Sequence, residues 1–272
     1  MSRCFAVASG KGGVGKSVIT ANLAAALALN GTRVVIIDAD IGLRSQDAML
    51  SLEDRVVYDL IDVSRKECTP DQALLSCESV PSLNLLPAAQ FERAKSLEPK
   101  KLAGIIRSLR VAYDYIFIDC PAGIERGLRN VLNAGVDEAI LIVTPDDISI
   151  RSAERTAQVI ESKLSVRPRL LVNRLDEELI RSGEMLSART VSQVLDLELL
   201  GAIPNDPVIY RSLLKHRLFI HYDCEARNAV LRIASRIQGR ALPVTGYGER
   251  KRGLFHRLFS RPLKEVTPID DH

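Results

Sequence analysis

Residues 3–29 read RCFAVASGKGGVGKSVITANLAAALAL. The first seven are an apolar, strand-like run and the last fourteen, Lys16–Leu29, have helical character. Between them Gly10–Ser17, GKGGVGKS, fits G-x-x-x-x-G-K-[ST] in the strand–loop–helix setting that a phosphate loop requires. Glycines at 10, 12, 13 and 15 let backbone N–H groups curl around phosphate oxygens with no Cβ in the way. A helix starting near Lys16 adds its positive end. Lys16 then neutralises the β- and γ-phosphates, and the Ser17 hydroxyl ligates Mg2+. Gly10, Lys11, Gly12, Gly13, Val14, Gly15, Lys16, Ser17 and Val18 form the candidate nucleotide-binding set. Lys11 is not asked for by the motif. It folds back onto its own phosphates, reaches across an interface to a partner's nucleotide, or is simply solvated.

Six further runs share the strand-like character of residues 3–9: Arg33–Asp38, Leu83–Pro87, Asp114–Asp119, Glu138–Thr144, Pro168–Asn173 and Leu199–Ile203. Several are apolar on both faces, as parallel strands covered by helices on each side must be. Helix-period stretches alternate with them: Lys16–Leu29, Pro99–Val111, Gly127–Ala134, Ser149–Leu164, Met185–Leu195, Pro207–Leu214 and Cys224–Gln238. This alternation predicts an α/β fold, a doubly wound, mostly parallel sheet flanked by helices, of the P-loop NTPase kind. Ligands in such sheets sit beyond the carboxyl ends of the strands. Carboxylates stand at two of these ends, Asp38 with Asp40 and Asp119. An Asp there suits a Mg2+ contact. Asp38 and Asp40 point to one side of an extended chain, so one can hold the metal shell while the other orients the attacking water.

The 272 residues carry a net charge of +3 that is unevenly placed. Residues 1–249 hold 31 Lys/Arg and 31 Asp/Glu, residues 250–264 hold six Lys/Arg and no acid, and residues 265–272 hold three acids. A neutral body argues against nucleic acid as a partner, whose binding needs several phosphate contacts. No apolar run reaches the roughly 18 residues of a spanning helix, and no signal peptide is expected. The five cysteines (Cys4, Cys68, Cys77, Cys120, Cys224) are odd in number and include no Cys-x-x-Cys, so reduced thiols are expected rather than disulfides or a zinc site. The expected organisation is an ATPase domain over 1–240, a Pro/Gly-containing linker over 241–249, an amphipathic membrane-targeting helix over 250–261 and a flexible tail over 262–272.

Residues 250–261 read RKRGLFHRLFSR, with Leu254, Phe255, Leu258 and Phe259 on one helical stripe and Lys251, Arg252 and Arg257 among the rest. This composition suits an anionic lipid interface. Four large apolar side chains give roughly 6–12 kcal/mol at full burial; partial insertion and ordering remove most of it. Each basic residue adds about 1 kcal/mol near anionic lipid. One such segment binds weakly, whereas two on one dimer gain about 10²–10⁴ in avidity. Dimerisation alone can therefore switch attachment.

These motifs carry a resemblance. KGGVGKS (11–17) is similar to the deviant Walker A motif of the ParA/MinD class of ATPases, whose signature is the extra lysine, here Lys11. DADIGLR (38–44), VVYD (56–59), DCPAGIE (119–125), GEMLS (183–187) and LGAIP (200–204) resemble stretches of the septum-site-determining branch of that class, as does the basic amphipathic segment. The likeness reaches to about residue 261. It implies a Mg2+-dependent ATP hydrolase that closes as a homodimer on two ATP molecules, with Lys11 of each subunit on the other's phosphates and Lys16 on its own. By the same resemblance Asp40 positions the water, Asp38, Asp119 and Ser17 serve Mg2+, and Asn173 reads adenine. It further implies that the ATP-bound dimer sits on the cytoplasmic face of the bacterial inner membrane, places the division septum by recruiting the inhibitor MinC, and is released when MinE stimulates hydrolysis.

Ser152 departs from the family pattern, in which an acid commonly follows the arginine matching Arg151, and KHRLFIHYD (215–223) replaces a small Gly-Glu-Pro-like stretch. The alternatives are a related ParA-class ATPase positioning chromosomes, plasmids or flagella; an iron–sulfur carrier on the same fold, which needs paired cysteines where only Cys120 is offered; and a small-molecule kinase, disfavoured by Lys11 and the tail.

Overall fold

The computed structural model describes residues 2–90, 97–244 and 247. Strands β1 (Arg3–Ala8), β2 (Val34–Asp38), β3 (Leu75–Ser76), β4 (Leu83–Leu86), β5 (Tyr115–Asp119), β6 (Glu138–Val143), β7 (Arg169–Leu175) and β8 (Leu199–Pro204) form one sheet in the order β3-β4-β2-β5-β1-β6-β7-β8. All pairings are parallel except β3 against β4, at the edge. The helices are α1 (Lys16–Ala28), α2 (Gln46–Leu50), α3 (Leu60–Arg65), α4 (Pro70–Ala73), α5 (Pro99–Leu109), α6 (Arg126–Leu132), α7 (Asp147–Leu164), α8 (Glu177–Ser182), α9 (Ala188–Leu195), α10 (Pro207–Leu213) and α11 (Glu225–Ile237).

The seven expected strands are all present, each within two residues of its sequence bounds. Alternate side chains of each strand enter different cores, which is why the runs are apolar throughout. Phe5 and Val7 face α1 and α11, while Cys4, Ala6 and Ala8 face α5 and α6. Helix α1 lies between the sheet and α11 and is buried nearly all round. Two of its buried polar residues are satisfied within the fold: the Thr20 hydroxyl donates to Lys16 O, and Asn22 donates to Val18 O while accepting from Ile220 N.

The sequence pattern missed β3, α2, α3, α4 and α8, each of six residues or fewer, too short to show a period. It also started α9 at Met185. The helix begins at Ala188 because the Ser187 side chain caps it, accepting from Thr190 N at 3.2 Å. The five cysteines are free. No helix among the described residues is long and apolar enough to cross a membrane.

The expected targeting helix (250–261), with Leu254, Phe255, Leu258, Phe259, Lys251, Arg252 and Arg257, and the tail (262–272) lie outside the described residues. Of the expected linker, 241–244 and 247 are described, and they are held to the body. Arg236 donates to the carbonyls of Leu242 and Pro243, and Tyr247 is buried beside α9 with its hydroxyl 3.2 Å from Arg232 Nη2.

Candidate nucleotide site

The loop between β1 and α1 is shaped by two close approaches. Gly15 caps α1 at φ +92°, and a Cβ there would stand 2.6 Å from Asn173 Nδ2. A Cβ on Gly10 would stand 2.4 Å from the Ser152 carbonyl oxygen. Glycine is therefore required at both places by packing, independently of any ligand.

Lys16 opens α1 and is 6% exposed, with Nζ 2.6 Å from Asp119 Oδ1 and 3.8 Å from Asp40 Oδ2. Burial alone would lower its pKa; Asp119 and Asp40 outweigh this and raise it, so the ammonium stays charged. Sheet register sets Asp38 directly opposite Asp119. Both are fully buried. Asp38 Oδ1 accepts from Asp40 N, and Oδ2 accepts from Ser45 N and Gln46 N, so this side chain builds the turn that follows β2. Burial and the neighbouring Asp119 push the Asp38 carboxyl up to about 7. Asp40 is also raised, by burial first. The structure thus brings Lys16, Asp38, Asp40 and Asp119 together at the strand ends, with Ser17 half-buried at the start of α1.

Gln46, on the five-residue α2, went unnoticed in the sequence. Its Nε2 donates to Asp119 Oδ2 at 2.6 Å and to Ser17 O at 3.1 Å, and its Oε1 is buried without a partner. Only its place a few residues after Asp38 and Asp40 signalled it. Asn173 has the same one-sided character. Its Nδ2 donates to Val14 O at 2.8 Å, while its Oδ1 is buried without a partner. A cavity of about 230 Å³ beside it is walled by Val18, Ile19, Pro204, Ile209 and Phe219. Apolar walls and a few placed polar groups are what a flat heterocycle requires. Phe219 comes from the divergent stretch Lys215–Asp223 and supplies an aromatic wall that the sequence reading did not assign. Buried acceptors lacking a donor, at Asn173 and Gln46, fit a ligand that brings an amino group and metal-bound water.

Lys11 is set apart from this cradle. Its Nζ lies 3.4 Å from Asp146 Oδ1 on the outer rim of the loop, with both side chains close to half exposed. Beyond Gly10, a groove of about 460 Å³ runs between Gly123–Glu125 and Ile148–Arg155, and Ile148 is 69% exposed on its wall. Ser152, in place of an acid, turns its hydroxyl back to the Ile148 carbonyl at 2.8 Å. Cys120 is fully buried, and burial pushes its thiol up, which suits a packed side chain rather than a cluster ligand.

The ParA family model, described as "NUBPL iron-transfer P-loop NTPase", matches residues 1–238, and the chain belongs to this class of P-loop NTPases. It is 41% identical over 266 residues to the septum site-determining protein MinD of Helicobacter pylori, covering 95% of this chain and 98% of that protein. It superposes on the MinC:MinD cell division protein complex of Aquifex aeolicus with TM-score 0.84 and 34% identity, covering 91% of this chain and 100% of that one. For MinD of Pyrococcus horikoshii complexed with Mg-ADP the TM-score is 0.77 at 29% identity, covering 87% of this chain and 96% of that one. Within the class, the chain is a member of the MinD family of septum site-determining ATPases.

Proposed function

We propose that this chain binds ATP at Gly10–Val18, dimerises around it, attaches to the membrane through residues 250–261, and marks the division site by recruiting an inhibitor until hydrolysis releases it. The observation that carries this reading is the separation of the two lysines: Lys16 is buried in the cradle, while Lys11 stands on its rim beside Asp146. A lysine on the rim, in a half-exposed ion pair, can exchange Asp146 for a second subunit's phosphates.

In this reading the loop N–H groups and Lys16 hold ATP's own phosphates, and Asn173 Oδ1 accepts from the adenine amino group. Ser17, Asp38 and Asp119 would hold Mg2+, which when bound would neutralise charge on the transferring phosphate. Asp40, kept more basic by burial, orients the attacking water. Lys11 from the other subunit completes the site, so hydrolysis requires the dimer.

Residues 1–240 act as the ATPase body and 250–261 as the membrane foot. The groove beside Ile148 and Arg151 is the face offered to an inhibitor of the MinC kind, since the Aquifex relative is described in complex with MinC. An activator of the MinE kind stimulates release. The place of action is the cytoplasmic face of the inner membrane.

Vesicle sedimentation tests this, with anionic lipid and with ADP, ATP or a non-hydrolysable analogue, on the full chain and on residues 1–249. Pelleting of the full chain only, and only with ATP or the analogue, is expected. Pelleting of 1–249, or pelleting that ignores the nucleotide, contradicts the reading.

A further inference from the structure

The end of β7 reaches the phosphate loop twice. Asn173 Nδ2 donates to Val14 O at 2.8 Å, and the next residue, Arg174, donates from Nη2 to Gly13 O at 2.7 Å. Two consecutive side chains therefore hold two consecutive carbonyls. They can do so because the register between β7 and β8 is irregular between Val172 and Leu175, and Arg174 sits there at φ +60°. An arginine in the left-handed region is unfavourable, and Gly or Asn is the usual occupant. Its presence points to a need for the side chain.

The need is geometric. In a planar trans peptide the C=O and the N–H that follows it point in opposite directions. Holding Gly13 O therefore aims Val14 N–H, and holding Val14 O aims Gly15 N–H, away from β7 and toward the cradle. We propose that Arg174 is a positioning residue of the phosphate loop: it clamps the Gly13 carbonyl and, with Asn173, welds the base-reading end of β7 to the phosphate-binding N–H groups. Arg174 also borders both the base cavity and the rim occupied by Lys11, where such a link has to run. Preorganised donors bind phosphate without ordering the loop at the moment of binding. The clamp should therefore govern affinity for the phosphates and leave the base pocket alone.

This inference rests on the loop being the phosphate site. Inorganic triphosphate and adenosine separate its two halves, measured on the full chain by calorimetry and by ligand-detected NMR. Arg174→Met should weaken triphosphate and ATP binding about tenfold with adenosine binding unchanged, and Arg174→Lys should restore most of the loss. The loss should persist at about 0.5 M KCl, where a mere long-range charge effect is screened. Unchanged triphosphate affinity in Arg174→Met, an equal loss of adenosine binding, or a loss that disappears at high salt overturns the clamp. A wild-type chain that binds no triphosphate overturns the phosphate-site reading itself.

Discussion

Lys16 Nζ lies 2.6 Å from Asp119 Oδ1 and 3.8 Å from Asp40 Oδ2, so the buried ammonium is neutralised by the carboxylates of its own site. A buried charge has to be paired. On the proposed function, Lys16 would exchange Asp119 for phosphate, and Asp119 would then be released to hold Mg2+.

Replacing Asp119 exposes this exchange. In Asp119→Asn the carboxylate no longer competes with phosphate for Lys16. ATP in EDTA is expected to bind several-fold tighter than to wild type, the gain in affinity on adding Mg2+ to shrink, and hydrolysis to fall more than tenfold. Calorimetry with and without Mg2+ checks the first two, and phosphate release the third.

The burial of Asp38 against Asp119 should make the protein's stability sensitive to pH. Asp38 is raised to about 7 by burial and by Asp119, against 3.8 for the free side chain. Between these values the folded chain keeps a proton that the unfolded chain has lost, so this group's contribution to stability falls as pH rises through that window and levels off above it. Denaturant unfolding at pH 5 and pH 8 should show wild type losing more stability on going to pH 8 than Asp38→Asn does. Equal slopes would remove the argument.

Asn173 donates to the Val14 carbonyl and borders the apolar cavity that the proposed function assigns to the base. Asn173→Ala is expected to cost about 1.4 kcal/mol or more in ATP affinity, a tenfold change. It should also reduce the preference for ATP over GTP, read by competition with a fluorescent nucleotide.

Gly15 combines a left-handed backbone with contact against Asn173. Gly15→Ala should destabilise the nucleotide-free protein by at least about 1–2 kcal/mol from backbone strain alone. It should also displace Asn173, so thermal unfolding and ATP affinity fall together.

Much of this architecture is written in the chain. Runs such as VVII at 34–37 are apolar at every position because Val34 and Ile36 enter one core and Val35 and Ile37 the other. Lys16, Asp40 and Asp119 were legible because a phosphate loop and strand-end carboxylates are local signals. Gln46 and Arg174 were not. Gln46 sits on a helix too short for a period, and it matters only because β2 and β5 bring Asp38 and Asp119 together. Arg174 looks like any surface arginine until the bulge in β7 turns it toward Gly13. Asp38 was legible as a strand-end acid, but its three backbone partners depend on a turn that no spacing rule gives.

Lys11 carries the central claim, that the rim lysine serves a second subunit while Lys16 serves its own nucleotide. Light scattering of wild type and Lys11→Ala with a non-hydrolysable ATP analogue tests it most directly, with calorimetry reporting nucleotide affinity on the same samples. A wild-type dimer is expected, and a Lys11→Ala chain that stays monomeric while still binding the analogue. A Lys11→Ala protein that dimerises as readily as wild type would contradict it.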